Sequence, residues 1–373
     1  MKRFFSCFLI LVLLIPLRVN ALSTSAKAAV LINGSTGEVI YEQNAQSRLP
    51  MASTTKIMTA LLLCEYGNLE REITVTEEML RVEGSSMGLL AGDRVTLHDL
   101  LYGLMLSSGN DAANVIAFVL GGTINGFVKQ MNDKVATLGL KNTSFATPSG
   151  LDAENHFTTA YDLAQLTRIA MQNEEFCKAV SCKSATLNYG NPPYRRTLTN
   201  HNKLLKSFEG AVGVKTGFTK KSGRCLVSAA KRGNSFVIAV TLNDPDDWAD
   251  HTAMLEYGLS AIKEKEIKPP QNRYTIDVIG GEQELLKINV ENLVVTSLHD
   301  GDFRCEVNLP KFIYAPVKKD EIIGTAVYIK DDTIIKTANL YAKTDIKAKT
   351  YERNAVKEIK QNLIYILNGI WEK

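Results

Sequence analysis

The stretch L-P-M-A-S-T-T-K-I-M-T-A-L-L-L, residues 49–63, carries the strongest structural signal in this chain. Ser53 stands just before the apolar run at residues 57–63, which predicts a buried helix that begins at the serine. Lys56 follows three residues later, so its side chain shares the helix face of Ser53. A serine with a lysine one helical turn away is a nucleophile with a candidate base. The stretch therefore predicts acyl transfer through a serine ester.

The S-x-x-K pattern alone is weak, because about one match is expected by chance in a chain of this length. Two further matches begin at Ser228 and Ser260. Ser228 lies in an apolar segment typical of a core strand, where residues three apart point to opposite faces. Ser260 precedes a lysine-rich segment. Only Ser53 stands in front of a helical apolar run, and we take it as the nucleophile.

The S-G-N motif at residues 108–110 supplies a second hydroxyl and an amide. It separates two segments with helical patterns, residues 97–106 and 111–120. Ser108 can relay a proton to the leaving amine, and Asn110 can hydrogen-bond the peptide backbone of the substrate. Taken alone, the serine is equally compatible with a helix cap and the asparagine with a turn.

The K-T-G motif at residues 215–217 lies on a predicted strand and supplies a second cation. Lys215 and Thr216 suit a substrate carboxylate, and Gly217 lets the strand approach the substrate closely. Lys215 would also lower the pKa of Lys56 by like-charge repulsion, and burial would add to that effect. A solvated cation at a strand end is the alternative for Lys215 alone. The fixed order of the three motifs favours a catalytic site.

The N-terminus has the regions of a secretory signal peptide: the basic residues Lys2 and Arg3, an apolar run of 14 residues from Phe4 to Leu17, and a small residue at Ala21. We expect cleavage after Ala21 and an exported, extracytoplasmic protein. An uncleaved anchor is the alternative. Cleavage would remove three basic residues and no acidic residue, so the formal net charge would fall from +3 to zero. A neutral protein gives no support to nucleic acid binding.

Cysteine and histidine usage predicts neither a metal site nor a cofactor. Five cysteines remain after the predicted cleavage, and their odd number and irregular spacing argue against a disulfide framework. Cys177 and Cys182 are close enough in sequence to pair, although isolated cysteines are usually small core residues. No C-x-x-C or H-E-x-x-H pattern occurs, and the five histidines are scattered.

Composition divides the chain into a larger mixed domain, a smaller strand-rich domain and a tail. Strand patterns flank a helical middle, which predicts one α+β domain. A charged segment that ends in two prolines indicates a linker, and short alternating runs after it predict a small all-β domain. The predicted boundaries are residues 1–21 for the signal peptide, 22–262 for the catalytic domain, 263–273 for the linker, 274–346 for the β-rich domain and 347–373 for the tail.

The tail has the pattern of an amphipathic helix. At 100° per residue, seven apolar residues share one stripe: Val356, Ile359, Leu363, Ile366, Leu367, Ile370 and Trp371. Residues 347–373 carry six basic and three acidic residues. Two interpretations are open, a helix packed on the β-rich domain and an interfacial anchor on a membrane surface that does not span the bilayer. We favour the anchor.

With the three motifs in this order, the chain resembles the serine-type D-Ala-D-Ala carboxypeptidases, low-molecular-weight penicillin-binding proteins of the peptidase S11 family. Other stretches similar to the family are E-G-S-S-M-G-L at 83–89, T-P-S-G-L at 147–151 and H-F-T-T-A-Y-D-L at 156–163. The resemblance covers nearly the whole chain. It implies a penicillin-binding/β-lactamase-like catalytic domain with an antiparallel sheet flanked by helices, then a small β domain and a C-terminal amphipathic anchor.

The resemblance also implies a substrate and a set of roles. The substrates would be peptidoglycan stem peptides ending in D-Ala-D-Ala, and β-lactams would be covalent inhibitors. Ser53, Lys56 and Ser108 would be catalytic. The main-chain N–H groups of Ser53 and Phe218 would form the oxyanion hole. Some relatives have histidine where this chain has Phe218, which puts a side-chain contact to the substrate in doubt and leaves a main-chain role intact.

Three other functions compete with this interpretation. A serine β-lactamase would need a positioned base for fast deacylation, and the E-x-x-L-N signature of one such class does not occur. A non-catalytic wall-binding or penicillin-sensing module has little need for an intact set of Ser53, Lys56 and Ser108. A DD-transpeptidase on the same substrate shares the acylation step and differs only in the acceptor, so the sequence leaves it open.

Overall fold

The apolar run after Ser53 forms a buried helix in the larger of two packing units. The computed structural model describes residues 22–298, 301–350, 359–361, 363–364 and 366–367, and the predicted signal peptide lies outside them. The first unit extends through Glu264 and includes Thr296–Leu298, and the second comprises the other described residues. Each unit has its own hydrophobic core.

The first unit alternates helices and strands as expected of an α+β domain. Its helices are α1 (Lys56–Tyr66), α2 (Leu97–Leu106), α3 (Asn110–Gly121), α4 (Ile124–Thr137), α5 (Ala160–Ala170), α6 (Glu174–Ser181), α7 (Leu204–Ser207) and α8 (Asp247–Ala261). Its strands are β1 (Ala28–Asn33), β2 (Val39–Gln43), β3 (Glu72–Thr74), β4 (Arg94–Thr96), β5 (Ser184–Gly190), β6 (Pro193–Thr199), β7 (Ala211–Thr219), β8 (Gly223–Arg232) and β9 (Ser235–Leu242).

A five-stranded antiparallel sheet with the order β2-β1-β9-β8-β7 forms the frame of this unit. Its central strands are apolar on both faces because helices cover both. Leu31 and Val237 pack with Leu255 of α8 on one face, while Val30 and Ile238 join the larger core on the other. Strand β7, which carries the K-T-G motif, is an edge of the sheet. The predicted antiparallel sheet flanked by helices is confirmed.

The helix predicted to begin at Ser53 begins instead at Lys56. Ser53 lies in a short 3-10 turn, Ala52–Thr55, that leads into α1. Ala52 has a φ of +47°, and the loop at Gly150 packs so tightly against it that a Cβ on Gly150 would lie 1.9 Å from the Ala52 carbonyl oxygen. This long-range contact holds the first turn in a tighter conformation than an α-helix.

A second, four-stranded sheet with the order β3-β4-β5-β6 was not predicted. Strands β3 and β4 have three residues each, and most of β6 is exposed. Their apolar periodicity is therefore weak, and periodicity is the signal on which a strand prediction depends.

The serines of the two other S-x-x-K matches have surroundings unlike those of Ser53. Ser228 is fully buried in β8, as predicted, and its hydroxyl is hydrogen-bonded to Nδ1 of His251 at 2.5 Å. Ser260 is exposed in the last turn of α8. Neither serine has a lysine amine as a hydrogen-bond partner in the described part of the chain.

The second unit is all-β, as predicted. The remaining strands are β10 (Lys263–Ile267), β11 (Arg273–Ile279), β12 (Leu285–Asn289), β13 (Leu293–Ser297), β14 (Phe303–Asn308), β15 (Phe312–Tyr314), β16 (Ile322–Lys330) and β17 (Thr333–Tyr341). Strands β10 and β13 each include residues assigned to both units. Two three-stranded sheets have the orders β12-β11-β15 and β14-β16-β17, and β10 pairs with β13.

The linker predicted for residues 263–273 is wrong over its first half. Residues 263–267 form β10, and only residues 268–272 lie between β10 and β11. The K-E-K-E run places its charged side chains mainly toward solvent while Ile267 is buried. Charged residues are tolerated on an exposed strand, so composition alone did not distinguish this strand from a linker.

The described parts of the tail, residues 359–361, 363–364 and 366–367, are helical. Their apolar side chains Ile359, Leu363, Ile364, Ile366 and Leu367 are each at least 50% exposed. The stripe members Val356, Ile370 and Trp371 lie outside the described residues. Within the described chain no single helix is long and apolar enough to cross a membrane, and only the bent pair α3 and α4, at 82°, passes that test together.

Cys177 and Cys182 are free thiols. The Cys177 sulfur donates to the carbonyl oxygen of Met171 at 3.0 Å, and the Cys182 sulfur donates to that of Ser184 at 3.2 Å. Each thiol therefore has its own local acceptor, and both residues are only partly buried, so neither is the small core residue that was the alternative to a disulfide.

Candidate active site

Ser53 lies directly against strand β7. A Cβ on Gly217 would be 3.0 Å from the main-chain nitrogen of Ser53 and 3.1 Å from the carbonyl oxygen of Met51. These separations are shorter than ordinary Cβ contacts, so the absence of a side chain at Gly217 is what lets the strand approach the serine. The first and third motifs, far apart in sequence, thus meet at Ser53.

Lys56 is fully buried, and its amine has three oxygen neighbours. Nζ lies 2.9 Å from Oγ of Ser53, 2.7 Å from Oδ1 of Asn110 and 2.6 Å from the carbonyl oxygen of Ser149. A protonated amine donates to all three. A neutral amine has two N–H groups, which can donate to Oδ1 of Asn110 and to the carbonyl oxygen of Ser149. Its lone pair then faces the serine hydroxyl.

Burial is the main reason that the pKa of Lys56 lies well below its ordinary value. Repulsion from Lys215 lowers the pKa further, as predicted, but it is the smaller of the two causes. The carboxylate of Asp111 acts in the opposite direction and raises the pKa. The net shift is toward the neutral amine, which is the form that can accept a proton from Ser53.

The S-G-N motif forms the break between α2 and α3, as predicted. Ser108 has a φ of +57°, which is uncommon for a residue with a side chain. Only 5% of the residue is exposed, and its hydroxyl makes no hydrogen bond to another residue in the described part of the chain. A strained serine with a free hydroxyl is the pattern of a functional position.

Asn110 has partners that the sequence did not indicate. Its Oδ1 accepts from Lys56, and its Nδ2 donates to the carbonyl oxygen of Glu83 at 2.6 Å. Both ends of the carboxamide are therefore engaged within the protein. In this geometry Asn110 fixes Lys56, where the motif alone suggested a contact with the substrate backbone.

Lys215 is 1% exposed, and burial lowers its pKa to about 7. Among the described residues its only hydrogen-bond acceptor is the carbonyl oxygen of Thr216, at 3.0 Å. An ammonium group has three donors, so two remain for an anionic group of a ligand. The neighbouring Phe218 projects from the edge of the sheet with 65% of its surface exposed.

The T-P-S-G-L stretch contributes main-chain groups that the sequence analysis left unassigned. The Ser149 carbonyl is one of the acceptors for Lys56, and the Pro148 carbonyl accepts from Oγ1 of Thr59 at 2.6 Å. Gly150 has a φ of +90°. The similarity of this stretch to the family was a usable signal, but its role lies in the backbone, which side-chain chemistry does not reveal.

Asp111 is a second residue that the sequence analysis missed. Its carboxylate accepts hydrogen bonds from Oγ of Ser86 at 2.5 Å and from the main-chain N–H groups of Met87, Gly88 and Leu89 at 3.0–3.1 Å. These donors stabilise a buried negative charge next to the S-G-N motif. They also account for the E-G-S-S-M-G-L stretch, whose backbone wraps this carboxylate.

His156 is hydrogen-bonded to the 3-10 turn that contains Ser53. Its Nδ1 accepts from the main-chain N–H of Ala146 at 2.9 Å, so Nε2 carries the proton and donates to Oγ1 of Thr55 at 2.8 Å. Burial lowers the pKa of His156 to about 4, which keeps the ring neutral at neutral pH. With both nitrogens engaged, His156 has a structural role at the turn.

Residues 16–246 match the D-alanyl-D-alanine carboxypeptidase family, peptidase S11, over more than half of the chain. The chain belongs to this carboxypeptidase family. Residues 266–348 match the C-terminal domain of penicillin-binding protein 5, which corresponds to the all-β unit. The family acts on D-Ala-D-Ala peptidoglycan peptides and binds β-lactams. The serine-peptidase function predicted from the three motifs is confirmed at the level of the family.

Carboxypeptidase relatives cover both units. The D-alanyl-D-alanine carboxypeptidase DacF of Bacillus subtilis is 33% identical over 371 residues, which cover 93% of this chain and 95% of that protein. Penicillin-binding protein 5 of Haemophilus influenzae superposes with a TM-score of 0.64 at 27% identity, over 88% of this chain and 99% of that chain. The Streptomyces K15 DD-transpeptidase superposes with a TM-score of 0.61 at 33% identity, over 64% of this chain and 98% of that chain.

Proposed function

We propose that this chain removes the terminal D-Ala from peptidoglycan stem pentapeptides through an acyl-enzyme on Ser53, and that penicillins inhibit it by acylating the same oxygen. The observation that carries the proposal is the position of the Lys56 amine. It is held by two acceptors, Asn110 and Ser149, and lies 2.9 Å from Oγ of Ser53.

In the acylation step, neutral Lys56 takes the hydroxyl proton while Oγ of Ser53 attacks the carbonyl carbon of the penultimate D-Ala. The main-chain N–H groups of Ser53 and Phe218 are suited to hold the resulting oxyanion. The amide C–N bond then breaks. The Ser108 hydroxyl, which has no hydrogen-bond partner among the described residues, relays a proton to the departing D-Ala amine. Water later cleaves the ester and regenerates Ser53.

Lys215 and Thr216 would bind the C-terminal carboxylate of the substrate. Two donors of the Lys215 ammonium have no protein acceptor in the described chain. A bound carboxylate would favour the charged form of Lys215 and raise its pKa from about 7. Recognition of the terminal carboxylate would then explain why a carboxypeptidase needs a second buried lysine.

The test of the proposal is release of free D-Ala from a D-Ala-D-Ala peptide, with and without penicillin. Ser53→Ala should abolish both D-Ala release and covalent labelling by penicillin, because without Oγ no ester can form. Ser260→Ala is the matched control, since this exposed serine also begins an S-x-x-K pattern and should retain full labelling. Labelling of the Ser53→Ala protein would refute the assignment of the nucleophile.

A DD-transpeptidase activity is the second candidate, favoured by the similarity to the Streptomyces K15 DD-transpeptidase. Both activities pass through the same acyl-enzyme, so the acceptor decides between them. Adding an amino-acid acceptor to the D-Ala release assay and measuring the exchanged product by mass spectrometry separates transfer from hydrolysis.

We further propose that the mature protein is exported and lies at the outer face of the cytoplasmic membrane, attached by its tail. The signal-peptide pattern of residues 1–21 supports export. The apolar stripe of the tail supports attachment. Its described apolar side chains are each at least 50% exposed, so they are not buried against the all-β unit. Such a stripe with nearby lysines suits an anionic lipid surface.

A further inference from the structure

The segment at residues 83–89, here called the bridge loop, is fastened to the start of α3. The Asn110 main-chain N–H donates to the carbonyl oxygen of Ser85 at 2.7 Å, and its side chain donates to that of Glu83 at 2.6 Å. The next residue, Asp111, accepts from the N–H groups at the other end of the loop. The orientation of the Asn110 carboxamide therefore depends on the bridge loop.

The β5–β6 hairpin donates hydrogen bonds to carbonyl groups of the bridge loop. The phenol of Tyr189 donates to the carbonyl oxygen of Met87 at 2.7 Å. Nη1 of Arg196 donates to the carbonyl oxygen of Gly88 and, at 3.4 Å, to that of Met87. The loop is thus held through its N–H groups by Asp111 and through its carbonyl groups by the hairpin.

The environment of Arg196 shows what its guanidinium does. The group lies over the rings of Tyr189 and Tyr194, 4.3 and 4.1 Å from their centroids, and its side chain is only 10% exposed. Nε and Nη2 are buried without a hydrogen-bond partner in the described chain, and a carboxylate oxygen of Asp93 lies 3.6 Å from Nη2. The hydrogen bonds that the guanidinium makes there all go to the bridge loop.

We propose that Arg196 is a positioning residue for the base Lys56, acting through the bridge loop and Asn110. This inference rests on the proposed acyl transfer at Ser53. Without the guanidinium, the carbonyl groups of residues 87 and 88 lose a charged donor, and the loop is held less firmly in its position against Asn110. Oδ1 of Asn110 then no longer fixes one N–H of Lys56, and the lone pair of the neutral amine is no longer aimed at Ser53.

Arg196→Met tests this role, because methionine keeps an apolar stem against the two tyrosine rings and removes the donors. Its matched control is Arg195→Met: Arg195 is the neighbouring residue on β6, is exposed, and its side chain makes no hydrogen bond within the described chain. Stopped-flow mixing with a fluorescent penicillin gives the acylation rate constant and the dissociation constant of the noncovalent complex. The amplitude of the reaction gives the fraction of protein that can be labelled.

We expect Arg196→Met to lower the acylation rate constant by about tenfold to a hundredfold, the effect of a small misplacement of a reacting group. The dissociation constant should stay within about twofold of that of the wild type, because Lys215 and Thr216 lie on a different strand. Arg195→Met should match the wild type in both constants. A general loss of folding would instead lower the labelled fraction.

Another variant keeps the inference testable if Arg196→Met does not fold. Tyr189→Phe removes one hydroxyl donor to Met87 and should lower the acylation rate constant severalfold. Combining Tyr189→Phe or Arg196→Met with Asn110→Ala gives a double-mutant cycle. If the hairpin acts through Asn110, the second substitution adds little to the loss already caused by Asn110→Ala.

Several outcomes would overturn the inference. They are an Arg196→Met acylation rate constant within about twofold of the wild type, an equal loss in Arg195→Met, a loss confined to the dissociation constant, or full additivity with Asn110→Ala. These differ from failure of the proposed function, in which the wild-type chain itself forms no acyl-enzyme.

Discussion

Lys56 and Lys215 are both buried lysines, yet their surroundings assign them different tasks. Lys56 has two firm acceptors that orient its amine toward Ser53. Lys215 has one acceptor in the described chain, on its own strand, and two unused donors. A group whose N–H bonds are satisfied by the protein is suited to receive a proton, and a group with unused donors is suited to bind an anion.

Lys56→Ala and Lys215→Ala should therefore fail in different ways. Lys56→Ala should lower the acylation rate constant by at least about a hundredfold with little change in the affinity of the noncovalent complex, as expected on loss of a base. Lys215→Ala should mainly weaken that affinity. Rapid-mixing kinetics with a penicillin separate the two constants. An acylation rate close to wild type in Lys56→Ala would overturn its role as base.

His156 makes the stability of the serine turn depend on pH. Burial lowers its pKa from 6.5 to about 4 in the folded state, so between these values the unfolded chain binds the proton more readily. The neutral ring therefore stabilises the fold fully above about pH 6.5, and this contribution is lost as the pH falls toward 4. The shift corresponds to about 3 kcal/mol.

His156→Gln, which cannot titrate, should remove this dependence. The difference in unfolding free energy between the wild type and the variant should shrink by about 3 kcal/mol from pH 7 to pH 4. Other buried groups, including His251 with its pKa lowered to about 3 by burial, are common to both proteins and cancel. Denaturant unfolding across this range measures the difference. A difference independent of pH would show that His156 is not the group responsible.

At the scale of elements, the 3-10 turn with Ser53 depends on a contact from a distant loop. Gly150 packs against the carbonyl of Ala52, and its φ of +90° is one that a larger residue rarely adopts. The loop at Gly150 and strand β7 at Gly217 both pack closely against the main-chain nitrogen of Ser53. The geometry of the nucleophile is therefore set by two glycines, at positions 150 and 217, as much as by the catalytic side chains.

Gly150→Ala should be much more damaging than Gly92→Ala. Gly92 has a similar φ of +88°, but a Cβ added there would have no neighbouring atom within 4 Å, so alanine adds only backbone strain of about 1 kcal/mol. At Gly150 the added carbon would meet the Ala52 carbonyl, and we expect a loss of at least about 3 kcal/mol together with slower acylation. Denaturant unfolding and penicillin labelling measure both effects. Equal losses in the two variants would refute the packing argument.

The sequence predicted the elements that carry strong periodicity and the residues that carry side-chain chemistry. It placed Ser53, Lys56, Ser108 and Lys215 in one site because their order is specific. It missed what depends on backbone atoms or on contacts across the chain. The carbonyl of Ser149 is an example, because nothing in the identity of that residue indicates that its oxygen accepts from Lys56. The short strands β3 and β4 were not predicted for a related reason. Three residues are too few to show the alternation of apolar and polar residues that marks a strand.

At the scale of the whole molecule, the chain combines a catalytic unit, an all-β unit and a tail whose described apolar side chains are exposed. The first residues of the predicted tail, 347–349, are hydrogen-bonded to the β unit. The N–H of Glu282 donates to the carbonyl of Lys347 at 2.8 Å, and the N–H of Lys349 donates to that of Gly280 at 2.7 Å. A truncation that leaves the β unit intact must therefore end at or after Thr350.

A mature chain ending at Thr350 should stay in solution and still release D-Ala from small peptides, because no proposed site residue lies beyond Phe218. The full-length mature chain should sediment with vesicles that contain anionic lipid, and high salt should weaken the binding. Leu363→Ser combined with Leu367→Ser, which interrupts the stripe within the tail, should behave like the truncated chain. If the full-length chain also stays in the supernatant, the anchor hypothesis is wrong.

The position of β7 at the rim of the central sheet has an evolutionary consequence. Natural proteins commonly protect such rims with charged residues, prolines or a covering segment to prevent pairing with other chains. Under the proposed function the nine residues of β7 cannot be protected in these ways. A group that kept another chain from pairing with β7 would also keep the peptide substrate from reaching it. Selection for solubility and selection for turnover therefore oppose each other on this strand. A lineage adapting to heat would be expected to accumulate its stabilising substitutions at the other rim, β2, and in the helices.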